Sequence, residues 1–332
     1  MDTIDRGRRR LVSLAASLTL AGLVRPALAQ ADWPNHPIRL IVAFPPGGAS
    51  DLVARLLQAD LSAELGVPVV IENKPGAGST LGTAQVALSA PDGYTFLMSN
   101  SAPLSIAPAL LDHIRYDARS SFSHVSYIGA VPTVVLVHPS LPVQSLAELT
   151  DWLKSQKEPV HYGSGGLGSV AHVVGELYAR QAGVRLEHVA YKGAGQMRTD
   201  LLGGQIKVAV DALPANLPFL KSGQLRLLAV TAPARVAQAP DVPAVTELGY
   251  EALVAENFVG ISAPAGLDPA IVGRFHQAVE RVLGKAPIRS QLEQQGFVLE
   301  SKTPEQFQSY VAWQAEQWEP VVSQLKGKGG QA

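Results

Sequence analysis

The sequence predicts an α/β protein made of two lobes, each a mainly parallel sheet flanked by helices. Strand-like and helix-like runs alternate along most of the chain after residue 36. Two glycine-rich turns each join a strand-like run to a helix-like run. No low-complexity linker separates two independent domains. Such alternation is typical of parallel sheets covered by helices, and the missing linker favours lobes that are joined by crossing strands.

The N-terminal 29 residues have the pattern of a cleavable secretory signal. Residues 6–10 read RGRRR, an uncharged apolar run follows over residues 11–24, and Ala27-Leu28-Ala29 supplies a small-x-small cleavage site. The apolar run is shorter than the roughly 20 residues that a membrane-spanning helix needs. We therefore expect export to the periplasm and cleavage before Gln30.

The composition after that cleavage argues against several classes of protein. Loss of residues 1–29 removes five arginines and two aspartates, which leaves 22 basic and 26 acidic residues. A net acidic chain without a basic patch is not typical of nucleic-acid binding. The chain has no cysteine, so disulfides, thiolate metal sites and a cysteine nucleophile are excluded.

The elements follow one another in a regular order. The predicted strands are 37–44, 67–73, 94–99, 133–139, 159–164, 185–191, 206–212 and 225–231. The predicted helices that matter most are 50–65, 267–284 and 303–325, the last with Thr303 and Gln306 as a capping box. We place crossings near residues 131 and 254. The first lobe is then 30–130 with 254–332, and the second lobe is 131–253.

Two glycine turns are the best candidates for a binding site. They are PPGGAS (45–50) and GSGGLGS (163–169), and each precedes a helix. Backbone N–H groups and the helix dipole at such a turn attract anions, and neither turn contains Lys or Arg. Two facing turns would hold a carboxylate through the backbone. The alternative is that the glycines only allow tight packing and that Ser50 and Ser169 are plain N-caps.

A nucleotide site is a second interpretation of the later turn. Gly163-x-Gly165-x-x-Gly168 has the spacing of a dinucleotide-binding fingerprint, and Glu187 stands where a ribose-binding acid is expected. This would make the protein a secreted NAD-type oxidoreductase. The phosphate-binding pattern that ends in Gly-Lys-Ser/Thr is absent.

No catalytic constellation accompanies either turn. The sequence has no GxSxG elbow and no HExxH pair, so we expect no enzyme activity, no cofactor and no metal. His161 and His172 flank the second turn and are interpreted as structural. Asp211 ends a strand and could bind a ligand hydroxyl or ammonium, or could cap the next turn. Thr80 and Asn100 are further candidates for the cleft.

Most of the chain resembles a known receptor family. The segments 37–98, 162–177, 191–231 and 260–275 are similar, in order, to the extracytoplasmic solute receptors of the tripartite tricarboxylate transporter system, the Bug family. The resemblance implies a type II periplasmic binding protein, expected as a monomer, which closes on a small carboxylate and delivers it to a membrane permease. It also implies contacts to the ligand from two sets of residues: Phe44, Gly47, Gly48 and Ala49 in the first turn, and Ser164, Gly168 and Ser169 in the second.

The chain departs from the family pattern at two places. Gln196-Met197 replaces a usual Pro-Ala, and Phe258 replaces a usual Trp. We expect Phe258 to touch the wall of the cleft and these changes to affect the choice of ligand. A ligand sensor that presents its closed form to a signalling partner is a further alternative.

Overall fold

The computed structural model describes residues 33–323. In this part of the chain, ten strands form one mixed sheet. Their bounds are β1 Ile38–Val42, β2 Val69–Asn73, β3 Thr95–Asn100, β4 Phe122–Val137, β5 Val160–Ser164, β6 Leu186–Ala190, β7 Val208–Ala212, β8 Arg226–Val230, β9 Glu256–Pro264 and β10 Val298–Leu299. Among these residues no helix is both long and apolar enough to span a membrane.

Helices connect and cover the strands. They are α1 Ala49–Leu65, α2 Thr80–Ala87, α3 Ala107–Leu110, α4 Leu146–Ser155, α5 Val170–Ala182, α6 Ala194–Leu202, α7 Leu217–Lys221, α8 Pro269–Leu283, α9 Ala286–Gln294 and α10 Pro304–Ser323. The predicted capping box is present before α10, because the Thr303 N–H donates to Gln306 Oε1 at 2.9 Å and the Gln306 N–H donates to Thr303 Oγ1 at 3.2 Å.

The strand order is β2-β1-β3-β9-β4-β7-β5-β6, and β8 and β10 also pair with β4. Strand β1 is parallel to β2 and β3, and β5 is parallel to β6 and β7. Strand β9 is antiparallel to β3 and β4, and β4 is antiparallel to β7 and β8. Each lobe therefore has three parallel strands that are completed by antiparallel ones, and the α/β two-lobed fold is confirmed.

Strand β4 belongs to both lobes. Residues 122–132 pair with β9, and residues 133–137 pair with β7. The described residues from His36 onward form one compact unit. The lobe boundaries near residues 131 and 254 therefore stay a prediction.

A buried threonine joins the segments that run between the lobes. The Thr231 N–H donates to the Thr133 carbonyl at 2.9 Å, and Thr231 Oγ1 accepts from the Thr133 N–H at 3.0 Å. The Ala255 N–H donates to the Thr231 carbonyl at 2.9 Å. These bonds hold β4, the end of β8 and the start of β9 side by side beneath the cleft.

Candidate binding site

A cavity of about 90 Å³ lies between the two lobes, where the parallel strands end. Carboxyl ends of parallel strands are the usual ligand site of such sheets. The wall from the first lobe consists of Phe44, Pro45, Pro46, Gly48, Ala49, Ser50, Asn100, Ala102 and Asn257. The wall from the second lobe consists of Thr133, Gly165, Ser169, Val170, Ala171, Gly193, Ala194, Arg198, Asp211, Ala212 and Ala215.

Three helices begin at this cavity. Ala49, Val170 and Ala194 are the first residues of α1, α5 and α6, and all three line the wall. Their N–H groups make no hydrogen bond to any described residue. The positive ends of three helix dipoles and their unused N–H donors therefore meet at one small space, which favours an anion.

The first turn is held by the buried carboxylate of Asp51. It accepts from the Gly47 N–H at 2.9 Å, from Arg55 Nε at 3.0 Å and from Asn73 Nδ2 at 2.9 Å. Burial alone would raise the pKa of Asp51, but these hydrogen bonds outweigh burial and lower it. Asp51 thus stays ionised and fixes the turn that leads into α1.

The second turn rests on a buried pair of histidines. The rings of His172 and His188 lie 4.1 Å apart, and His188 Nε2 lies 2.6 Å from Ser164 Oγ. Burial lowers the pKa of His172 to about 4. Burial and then the charge of His172 lower the pKa of His188 to about 3. Both rings are therefore neutral at physiological pH, which agrees with the structural interpretation of His172.

The sequence analysis did not find Arg198. This residue is only 9 % exposed. Its Nη1 donates to Asp211 Oδ2 at 2.8 Å, and its Nη2 donates across the cleft to the Gly47 carbonyl at 3.2 Å. Asp211 also accepts from Asn216 Nδ2 at 2.9 Å. The two roles predicted for Asp211, binding a ligand group and capping the next turn, did not include an ion pair. The periodicity of α6 could have placed Arg198 on the buried face with Met197 and Leu201.

Six of the predicted site residues do line the cavity. They are Phe44, Gly48, Ala49, Asn100, Ser169 and Asp211. Asn100 holds the first turn, because its Nδ2 donates to Ser50 Oγ at 2.9 Å. Asn257, which was not predicted, also lines the cavity, and its Oδ1 is buried without a partner among the described residues.

The other five predicted site residues lie outside this wall. The N–H groups of Gly47 and Gly168 point to Asp51 Oδ2 and His172 Nδ1, at 2.9 and 3.3 Å, rather than into the cavity. Ser164 bonds to His188 behind the turn.

Thr80 and Phe258 complete that set of five. Thr80 bonds to the Ala77 carbonyl at the start of α2. Phe258 was predicted to touch the cleft wall, but it is 0 % exposed. It packs with Tyr127 and Phe307 in the cluster that supports Phe44, because its β9 register turns the side chain toward the core.

The dinucleotide fingerprint lies in a βαβ unit, where its first glycine serves packing and Gly165 lines the cavity. A Cβ on Gly163 would lie 2.5 Å from Ile206 Cδ1, so this glycine permits close contact between helix and sheet. Glu187 lies in β6 and pairs with His161 at 3.4 Å. The Glu187 side chain is 63% exposed and does not line the cavity.

Comparisons with known proteins decide the family. The family described as "Tripartite tricarboxylate transporter family receptor" matches residues 53–326. The chain belongs to this receptor family. The family is periplasmic, and its members are solute-binding receptors rather than enzymes.

Relatives of this receptor family match over nearly the whole chain. Protein BugT of Bordetella pertussis (strain Tohama I) is 36% identical over 321 residues, which cover 96% of this chain and 98% of BugT. The structure of Rpa4515 of R. palustris with adipate is 32% identical, with a TM-score of 0.84 over 88% of this chain and 97% of that one. The structure of MatC from Rhodopseudomonas palustris with bound malate is 29% identical, with a TM-score of 0.83 over 87% of this chain and 100% of that one.

Proposed function

We propose that this protein is a periplasmic receptor that binds a small carboxylate between its lobes and delivers it to the membrane permease of a tripartite tricarboxylate-type transporter. One observation carries the proposal: among the described residues, three helix N-termini with unbonded N–H groups meet at a small cavity that a guanidinium also lines. Signal cleavage after residue 29 would release the receptor into the periplasm.

The physical chemistry of the cavity supports a carboxylate ligand. Each helix N-terminus favours an anion by about 0.3–1 kcal/mol, and more where the site is partly buried. Hydrogen bonds to a charged group contribute about 1.5–3 kcal/mol each. Two relatives of similar fold hold malate and adipate, which are both carboxylates.

Binding and lobe closure are the whole mechanism in this proposal. The wall offers no nucleophile paired with a base among the described residues, and its one carboxylate, Asp211, is bonded to Arg198. Glu187, which would have to bind the ribose of a dinucleotide, is exposed and does not line the cavity, which argues against the NAD interpretation.

The proposal is tested on protein purified from the periplasm of an expression host. We expect an N terminus at Gln30 and calorimetric binding of at least one small carboxylate, such as succinate, malate, adipate or citrate. We expect no binding of NAD or NADP.

Two outcomes would contradict the proposal. An intact segment 1–29 on a cytoplasmic protein would overturn the localisation. Failure of every carboxylate in the panel to bind, or tight NAD binding with turnover, would overturn the receptor function.

A further inference from the structure

The ring of His172 holds the second glycine turn from behind. The Gly168 N–H is buried and donates to His172 Nδ1 at 3.3 Å, and it has no other acceptor among the described residues. His172 lies in the first turn of α5, is only 6 % exposed and does not line the cavity. Any effect of this ring on a bound ligand must therefore act through the turn.

The bond to Nδ1 defines the state of the His172 ring. A backbone N–H can only donate, so Nδ1 must carry a lone pair, and the proton of the neutral imidazole lies on Nε2. Burial lowers the pKa of His172 to about 4, so the neutral form persists near pH 7. His188 of β6 packs 4.1 Å from this ring, and its own Nε2 lies 2.6 Å from Ser164 Oγ at the start of the same turn.

The peptide group between Leu167 and Gly168 is oriented by this bond. Its N–H points to His172, and its carbonyl oxygen faces the first lobe, where a Cβ on Gly78 would lie 2.8 Å from it. A trans peptide is planar, so its N–H and C=O point in opposite directions and can only turn together. Glycine at position 168 permits such a rotation. Without an acceptor at His172, the rotation would bring the carbonyl oxygen toward the start of α5.

A carbonyl oxygen in that position would weaken an anion site. Val170 and Ala171 line the cavity, and their N–H groups have no partner among the described residues. The carbonyl oxygen would compete for these donors, and its partial negative charge would oppose the field of the helix N-terminus. The orientation of the peptide before α5 therefore decides whether the two N–H groups are available to a carboxylate.

We propose that His172 is a positioning residue for ligand binding. Its ring holds the peptide between Leu167 and Gly168 in the orientation that leaves the N–H groups at the start of α5 free for a carboxylate. The ring itself does not touch the ligand. This inference rests on the proposed receptor function and adds a residue on which the affinity of the receptor depends.

Two substitutions separate the acceptor from the bulk of the ring. In His172→Asn, the amide oxygen can accept the Gly168 N–H in place of Nδ1, whereas His172→Leu fills more of the space but has no acceptor. Calorimetry with succinate, malate, adipate and citrate measures both variants. We expect His172→Leu to bind each carboxylate that the wild type binds at least ~10-fold more weakly, and His172→Asn to regain at least ~5-fold of that loss. Packing alone predicts the opposite order, because asparagine leaves the larger void.

His138→Leu is the matched control for these variants. His138 Nδ1 also accepts a backbone N–H, that of Ser140 at 3.2 Å, and the residue does not line the cavity. This variant should bind the same carboxylates with wild-type affinity. Thermal unfolding of each empty variant checks that it folds.

Nitrogen NMR of the wild-type protein tests the same bond without any substitution. We expect the His172 ring to be neutral near pH 7, with its proton on Nε2 and an unprotonated Nδ1. A proton on Nδ1, wild-type affinity in His172→Leu, or equal losses in His172→Asn and His172→Leu would overturn the inference and leave the receptor function intact. Failure of the wild type to bind any of the four carboxylates would instead overturn the receptor function.

Discussion

Ser169 has two possible roles, as the N-cap of α5 and as a contact to the ligand. Its Oγ accepts from the His172 N–H at 3.1 Å, which is an N-cap bond, and the residue also lines the cavity. The cap bond accounts for a serine at this position without any ligand. A contact to the ligand through the same hydroxyl would be an additional role.

Substitution of Ser169 by alanine separates these roles. Loss of the cap bond should lower the free energy of unfolding by about 1 kcal/mol. If the hydroxyl also holds the carboxylate, affinity should fall by at least ~5-fold, which is about 1 kcal/mol. Chemical denaturation of the empty protein and calorimetry of the ligand measure the two effects.

Ser145→Ala is the matched control for that experiment. Ser145 caps α4 in the same way, since its Oγ accepts from the Glu148 N–H at 3.1 Å, and it does not line the cavity. The control should lose similar stability and keep full affinity. If Ser169→Ala behaves like the control, the serine is a cap only.

At the scale of residues, sequence reasoning pointed to Gly48, Ala49, Ser169 and Asp211, which line the cavity, and missed Arg198. The glycine turns placed Gly48, Ala49 and Ser169 at the cavity because strand, turn and helix follow directly from local pattern. Arg198 was missed because its partners, Gly47 and Asp211, are 151 and 13 residues away in sequence. The packing of one lobe against the other brings Gly47 to Arg198, whereas Asp211 meets Arg198 within the second lobe.

At the scale of elements, the contact between α5 and β6 depends on two neutral histidines. The ring of His172 on α5 lies 4.1 Å from the ring of His188 of β6, and both have a pKa far below 6.5 because they are buried. The unfolded chain binds protons at these rings near pH 6.5, whereas the folded protein does so only near pH 4 and below. The contribution of these rings to the free energy of unfolding is therefore largest above about pH 6.5 and decreases as the pH falls.

We expect the free energy of unfolding to decrease between pH 6.5 and pH 4, by up to about 3 kcal/mol for His172. Urea denaturation at a series of pH values measures the slope. In His188→Gln, which removes one of the two rings, the slope over this interval should be shallower. An equal slope in the variant and the wild type would show that other groups cause the acid sensitivity.

The sequence predicted most strands but not the long antiparallel pair that β9 forms with the start of β4. All eight strands expected from sequence are present, and the buried ones among them, such as β1 and β7, appear as largely apolar runs. Strand β9 and the first eleven residues of β4 were not predicted, since ENFVGISAP and SHVSYIGA mix polar and small residues with apolar ones. Both pair antiparallel with each other, and that partnership is invisible in either segment alone.

At the scale of the whole molecule, the structure has the lobes in contact over the cavity. Gly78 of the first lobe lies close to Leu167 of the second, because a Cβ on Gly78 would be 2.8 Å from the Leu167 carbonyl oxygen. The bond from Arg198 to the Gly47 carbonyl crosses the same cleft. Contacts of this kind are expected in the closed form, which a receptor reaches when it binds.

A methyl group at Gly78 should therefore oppose closure without touching the ligand cavity. We expect Gly78→Ala to weaken ligand binding by at least ~10-fold, since the clash occurs only when the lobes meet. Gly66→Ala is the control: its φ of 75° resembles the 62° of Gly78, but nothing lies within 4 Å of the added Cβ. Both variants should lose similar stability from backbone strain, and only Gly78→Ala should lose affinity in calorimetry. Unchanged affinity in Gly78→Ala would exclude this contact from the bound form.

The passage of β4 through both lobes has a consequence for the order in which the chain folds. Strand β3 pairs with β9, and Leu97 lies opposite Ser262, so the first sheet cannot be completed until the chain has been made past residue 264. The strands β5 to β8, by contrast, come from one continuous segment that needs only the earlier β4. Pairing over long sequence separations is slow, and an unpaired strand edge is prone to aggregation. The sheet formed by the N-terminal strands β1 to β3 is thus completed last. The edge of β3 stays unpaired until β9 has been synthesised.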